Sequence, residues 1–235
     1  MKRSRSYEAK VALLEQEKVH PLAEAIELLK RTATAKFPET AETAIKLGIN
    51  PAQHQVRGTC PLPHGTGKSV RVLVFARGEK VREAEAAGAD YAGGEDLAEK
   101  IQKEGWLEFD RVVATPDMMS VVGKLGKILG PRGLMPSPKT NTVTMDVGAA
   151  VRELKAGMIE FRAERTGIVH GIFGKASFEA EKLQENLVAL VRAVIERKPE
   201  GTRGRYIQRV SISSTMGPGI RVDEADLLAA AQKKG

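Results

Sequence analysis

Between Val70 and Leu129, short apolar runs alternate with segments of helical composition, and this alternation restricts the fold more than any other feature of the chain. Val70 to Ala76 is rich in valine, Glu79 to Ala87 is helical in composition, and Gly88-Ala89-Asp90 leads into a turn. Glu95 to Lys103 is again helical, and Arg111-Val112-Val113-Ala114-Thr115 is a second apolar run before a helical Asp117 to Leu129. Apolar strands joined through helices pair in parallel and need cover on both faces, so the middle third is predicted as βαβ units of an α/β domain. An irregular stretch after Pro138 closes with a short helix over Val151 to Leu154.

The flanking thirds have a different texture. The first reads as two helices and a hairpin: Pro21 opens a helix with Leu22, Ala25, Ile26 and Leu29 on one face. Thr43, Ile45, Leu47 and Ile49 then alternate as in a half-buried strand, Asn50-Pro51 breaks it, and Val56 to Leu62 returns as the partner. In the last third, Met158 to Arg162 and Ile168 to Phe173 are strands around Thr166-Gly167. Ser177 to Arg197 is the strongest helix, with Leu183, Leu187, Leu190, Val191 and Val194 as its stripe, Ser177 as cap and Pro199 as terminator. A strand from Tyr206 to Ser214, the turn Met216-Gly217-Pro218-Gly219, a short strand to Val222 and a helical tail from Asp223 follow. The shared texture predicts one discontinuous α+β domain, residues 1–67 and 159–235, interrupted by the α/β domain, residues 68–158.

Charge distribution points to a polyanion. Thr43 to Gly78, Met118 to Met145 and Gly201 to Val222 contain no Asp or Glu, yet carry Lys46, Arg57, Lys68, Arg71 and Arg77; Lys124, Lys127, Arg132 and Lys139; and Arg203, Arg205, Arg209 and Arg221. In a chain with 30 acidic residues, such gaps leave local positive field uncancelled. The net charge of +7 divides as +3, +1 and +3 over residues 1–67, 68–158 and 159–235, so the outer segments carry most of it. Only ten aromatic residues occur, and Phe75, Phe109, Phe161 and Phe173 sit in apolar runs suited to cores. Phe37, in a polar stretch, is either an exposed contact or a helix-end staple. Scarce aromatics with many Lys, Arg, Ser, Thr and Gly favour folded RNA, recognised through shape, phosphates and 2′-hydroxyls rather than by stacking on splayed bases.

Catalytic and cofactor signatures fail on spacing. His64-Gly65-Thr66-Gly67-Lys68-Ser69 resembles a phosphate loop, but Leu62 stands where its first glycine belongs, and the next element is a strand rather than a helix. Neither a dinucleotide glycine fingerprint nor a nucleophile elbow is present. The histidines (His20, His54, His64, His170) are scattered and Cys60 is the single thiol, so zinc-ligand spacing and an internal disulfide are excluded, and a reducing cytosol fits. Most carboxylates lie at helical spacings that pair with Lys or Arg, and no cofactor is called for. No run approaches the ~20 apolar residues of a membrane span, so a cytoplasmic protein without membrane contact is expected.

Four blocks resemble one family. Gly123-Lys124-Leu125-Gly126-Lys127-Ile128-Leu129-Gly130-Pro131-Arg132-Gly133-Leu134-Met135-Pro136 is similar to the signature of the ribosomal protein L-one family, in its bacterial form. Thr34-Ala35-Lys36-Phe37-Pro38-Glu39-Thr40 and Ser214-Thr215-Met216-Gly217-Pro218 resemble that family's two RNA-facing segments, and Arg57-Gly58-Thr59 with Leu62-Pro63-His64-Gly65 its interdomain crossing. The resemblance implies a split α+β RNA-binding domain with an inserted Rossmann-like domain that holds no nucleotide. It also implies a structural constituent of the large ribosomal subunit, not an enzyme: a monomer within the ribosome that binds large-subunit rRNA. The same resemblance implies a mobile lateral stalk that assists release of exit-site tRNA, and repression of the protein's own mRNA through an operator. By position, Lys36, Phe37, Glu39, Thr40, Lys46, Thr215, Met216 and Gly217 inherit RNA contact, and Arg162 and Arg209 join them in the expected set. Ser137 stands where the family commonly has asparagine and Cys60 where it has valine, both tolerable exchanges. The signature segment is either a structural loop or a second RNA contact. The alternative is an enzyme acting on a phosphorylated small molecule through the middle domain.

Overall fold

The computed structural model describes residues 4–14, 18–51, 53–202 and 204–232; Arg203, counted in the third acid-free run, lies outside them. In chain order the helices and strands are α1 (Arg5–Ala12), β1 (Val19–His20), α2 (Leu22–Thr32), β2 (Thr40–Leu47), β3 (Arg57–Pro61), β4 (Val72–Phe75), α3 (Glu79–Ala86), β5 (Tyr91–Gly93), α4 (Glu95–Glu104), β6 (Arg111–Ala114), α5 (Met119–Lys124), α6 (Gly126–Leu129), α7 (Val147–Ala156), β7 (Met158–Arg162), β8 (Ile168–Lys175), α8 (Ala180–Glu196), β9 (Ile207–Ser214), β10 (Ile220–Val222) and α9 (Glu224–Gln232). The chain divides into two compact units, Met1–Gly67 with Ile159–Gly235, and Lys68–Met158.

The outer unit is organised around β2. In a five-stranded sheet of order β1-β10-β9-β2-β8, β2 is antiparallel to both neighbours, with Ile45 opposite Val169 on one side and Val210 on the other. Alternate residues Ala41, Thr43, Ile45 and Leu47 are buried, as a strand covered on one face requires. Their cover comes from Leu22, Ile26 and Leu29 of α2 and from Leu183, Leu187, Leu190, Val191 and Val194 of α8, all in one apolar core. Each of these side chains is at most 2% exposed, and full burial of one contributes about 1.5–3 kcal/mol. Gly171 lets α8 approach the sheet closely: a Cβ there would lie 2.7 Å from Leu190 Cδ2. Helix α9 packs its Leu227 and Ala231 into the same core, and the Arg192 guanidinium of α8 donates to the Ala231 carbonyl from Nε at 3.1 Å and Nη2 at 2.8 Å.

Two local expectations for this unit are corrected. Val56 to Leu62 does not return against β2, whose two edges are taken by β8 and β9; β3 pairs instead with β7 in a separate two-stranded sheet. Ser177 does not cap α8: the helix starts two residues later than that assignment allows, with Glu179 in the extended cap position.

The middle unit is a parallel three-stranded sheet of order β5-β4-β6. All four residues of β4 are buried. Leu73 and Phe75 pack with Ile101, Met118, Val122 and Leu125 on one side, while Val72 and Val74 pack with Ala84, Val147 and Val151 on the other. Helices thus cover both faces, as the apolar runs required. The helical reading of Asp117 to Leu129 is broken into a 3-10 turn at Pro116–Met118, then α5 and α6, and α7 extends well beyond Val151 to Leu154. Asp146 caps α7, accepting from Ala149 N at 2.9 Å. Asp110 ties the start of the unit to β6, accepting from Lys68 Nζ at 2.8 Å, Arg71 N at 3.2 Å and Arg71 Nε at 3.3 Å. Among the described residues no helix is long and apolar enough to cross a membrane.

Candidate nucleic-acid interface

Two loops from opposite ends of the chain are fastened together at one end of β2. Thr32 finishes α2 with its hydroxyl donating to the carbonyls of Leu28 and Leu29, and the chain then turns toward β2. Glu39, only 2% exposed, lies at the junction: Oε1 accepts from Ala35 N at 2.7 Å and Oε2 from Met216 N at 3.0 Å. Lys10 Nζ donates to the Met216 carbonyl at 3.1 Å. Burial by itself would raise the Glu39 pKa. The backbone N–H groups of Ala35 and Met216, the nearby Ser214 hydroxyl and the Lys10 charge outweigh it and hold the carboxyl below its ordinary value. The Ser214 hydroxyl is itself buried and makes no hydrogen bond of good geometry with any described residue.

Thr215 adds a second fastening. Its N–H donates to the Thr40 carbonyl at 3.1 Å and its Oγ1 accepts from Thr40 N at 2.9 Å, while Lys175 Nζ donates to Thr40 Oγ1 at 2.8 Å. Gly217 closes the turn with its N–H on the Ser214 carbonyl at 3.0 Å, and a Cβ at Gly217 would fall 2.4 Å from Ser214 Oγ. The backbone here is therefore shaped by a residue with no side chain. The clamped loops present Lys36, Phe37, Thr215 and Met216 to solvent, Phe37 at 50% and Met216 at 57% exposure. Burying such apolar side chains against a sugar or base face is favourable, and leaving them in water on a rigid platform is not.

From this joint the open face of the sheet runs along β2. Its register sets Glu42 between Ser213 and Ile172, Ala44 between Ser211 and His170, and Lys46 between Arg209 and Ile168. Arg221 of β10 stands beside Ser211. Small and hydroxyl side chains thus fill the centre, and cations lie toward the far end. Lys46 Nζ donates to the Thr166 carbonyl, whereas the Arg209 side chain is exposed. Ser211, Ser213, Glu42 and His170 carry no contact signal in the sequence, and Arg221 stands out there only as one cation of an acid-free run; period-two alternation in β9 marks the serines only once the β2 register is known.

Other expected positions lie elsewhere. Arg162 is on β7, in the two-stranded sheet, and does not join this face. The signature segment belongs to the middle unit, where Leu125 and Leu129 are buried and Lys124, Lys127 and Arg132 are exposed. The phosphate-loop lookalike is committed to structure: His64 N donates to Asn186 Oδ1 at 3.0 Å, and the fully buried Asn186 amide donates to the carbonyls of Gly65 at 3.0 Å and Phe173 at 2.9 Å. No helix follows it; the next element is β4. Among the described residues no three His, Cys, Asp or Glu side chains are grouped to hold a metal ion.

The chain matches the ribosomal protein L1p/L10e family over residues 29–218, a span that includes both clamped loops, all of β2 and the whole middle unit. Members are non-enzymatic structural proteins of the large ribosomal subunit that bind rRNA, so the alternative of an enzyme built on the middle unit is set aside. An exposed, cation-flanked face held rigid at one end by a buried carboxylate is the kind of surface such a protein needs, and the chain belongs to the ribosomal protein L1p/L10e family.

Proposed function

We propose that the outer unit alone carries primary rRNA recognition, through the loop joint and the open face of its sheet. Thr40, Thr215 and the backbone at Gly217 meet 2′-hydroxyls, Phe37 and Met216 pack on sugar or base faces, and Lys36, Lys46 and Arg209 neutralise phosphates. Glu39 acts through the loops it holds rather than by touching RNA. The observation that carries this reading is the buried Glu39 carboxylate joining Ala35 to Met216, because it fixes two solvent-facing segments from distant parts of the chain.

On this reading the protein sits as a monomer in a mobile lateral stalk of the large subunit, where the rRNA it grips is carried against exit-site tRNA during release. A fold of similar shape in its own mRNA competes for the same face, so the free protein represses its own translation. Ribosomal binding and repression are then mutually exclusive.

Binding to large-subunit rRNA is measured against salt for the wild type, Thr215→Ala and Met216→Asp. About six phosphate contacts give a slope of log affinity on log salt near −4 to −5. Both variants weaken binding, Met216→Asp more because it sets a carboxylate against phosphates, while circular dichroism stays native. A slope near zero, or native affinity in both variants, removes the face from the site.

A further inference from the structure

A second polar site lies at the other end of β2. A cavity of about 450 Å³ is lined by Pro51, His54, Gln55, Arg162, Ala163, Glu164 and Arg165, all within the outer unit. Arg162 and Arg165 are exposed, and neither guanidinium forms an ion pair with a described residue. The one acid in the wall is already engaged. Glu164 Oε1 accepts from the Thr166 hydroxyl at 2.5 Å and lies 3.7 Å from His170 Nε2, and the Lys46 charge acts on it as well. The wall thus sets two guanidinium groups against one carboxylate.

His54 adds a donor. Its Nδ1 is buried without a partner among the described residues, so an N–H placed there would stay unsatisfied. The ring proton is better accommodated on Nε2, where an entering acceptor can take it. The Gln55 amide brings a further polar group to the same wall. Two forked cations, an imidazole donor and an amide, set against a single carboxylate that Thr166 holds, match the oxygens of a phosphate.

We infer that this cavity is a phosphate-binding site for a second segment of the rRNA backbone, separate from the loop joint. The Thr166 carbonyl that receives Lys46 and the bridge between Ala163 and Val169 place the cavity at the Lys46 end of β2. Thr40 is six residues away along an extended strand, about 20 Å at ~3.3 Å per residue. Two anchors at that separation fix the direction in which the RNA crosses the sheet, which a single anchor does not. The site rests on the RNA-binding reading above and gives Arg162 a role outside the open face.

The test is salt-dependent binding of the full chain to a large-subunit rRNA transcript, with Arg162→Gln/Arg165→Gln, Arg162→Lys/Arg165→Lys and Met216→Asp alongside the wild type. The glutamine variant is expected to bind about tenfold more weakly at low salt, with its slope reduced in magnitude by about 1 to 2, since each lost phosphate contact removes about 0.7 to 0.9. The lysine variant keeps the slope while losing part of the affinity, because it retains charge without the fork. Thermal midpoints stay those of the wild type. Wild-type affinity and slope in the glutamine variant overturn the site, as does lost affinity with an unchanged slope, which marks a structural effect. Failure of Met216→Asp to weaken binding overturns the loop-joint reading instead, so the two outcomes are told apart.

Discussion

Glu39 and Met216 are 177 positions apart in the chain, yet an oxygen of the first accepts the backbone N–H of the second at 3.0 Å. The bond crosses between the segment that leads into the central strand and the turn that leaves β9. Its acceptor is buried, charged and shared with Ala35, so both loops depend on one ionised group.

Glu39→Gln keeps the shape of that group and removes its charge. Hydrogen bonds to charged acceptors contribute about 1.5–3 kcal/mol, so the variant is expected to lose about 2 kcal/mol of stability in urea unfolding at pH 7. Its rRNA affinity falls as well, because the loops lose their common anchor. The folded pKa of Glu39 lies below the ordinary 4.5, so its stabilisation is complete above about 4.5 and disappears as pH falls through the folded value. The gap between wild type and variant therefore closes on acidification; a constant gap down to pH 2 contradicts the assignment.

Asp110 makes the corresponding prediction for the middle unit. The Lys68 ammonium first, and the Arg71 backbone and guanidinium after it, outweigh burial and bring its pKa from 3.8 to about 2. Its contribution is present above about pH 4 and is lost progressively as pH falls through about 2. Because the carboxylate is partly exposed, Asp110→Asn is expected to cost on the order of 1–2 kcal/mol at pH 7, and only a small part of that at about pH 2. Denaturant titrations at the two pH values check this.

Gly217→Ala puts a methyl group 2.4 Å from Ser214 Oγ, so that either the hydroxyl or the turn must shift. RNA affinity is expected to drop by tenfold or more with little loss of global stability. Ser214→Ala removes a buried hydroxyl that has no well-formed partner but helps to hold Glu39 ionised, and by itself should lower stability by no more than about 1 kcal/mol. Combined with Gly217→Ala it relieves the clash and restores part of the affinity. Additive binding losses in the double variant contradict this coupling.

The Cys60 thiol is 1% exposed, and burial, aided by the Glu196 charge, pushes its pKa up to about 11. Alkylation at pH 8 is expected to be slow in native protein and fast in urea, with mass spectrometry as the readout. Rapid labelling of the native form contradicts the burial of β3.

Much of the core was legible because periodicity reports burial directly. The alternation in Thr43 to Leu47 and the stripe from Leu183 to Val194 both appear at the expected positions. Partner choice was not legible: Val56 to Leu62 has the composition of a strand, but nothing local records that its partner lies about a hundred residues later. Tyr91–Gly93 is too short to carry a pattern and passed as part of a turn. The loops with Phe37 and Met216 were found by resemblance, yet the function of Glu39 depends on a long-range contact and became visible only with the fold. Ser211 and Ser213 were hidden for the same reason, since polar residues in a strand show their face only through its register.

The central position of β2 also governs when the RNA-facing surface comes into being. Both neighbours of β2 follow the middle unit in sequence, so during synthesis this strand leaves the ribosome with two open edges, one waiting for β8 and the other for β9. The Lys68–Met158 unit, whose strands pair only with one another, can close in the meantime. The bonds that tie Thr40 to Thr215 and Glu39 to Met216 form only after Met216 has been made. A copy terminated before Met216 consequently has no assembled joint with which to occupy an rRNA site, and competence to bind becomes a check that synthesis has passed β9.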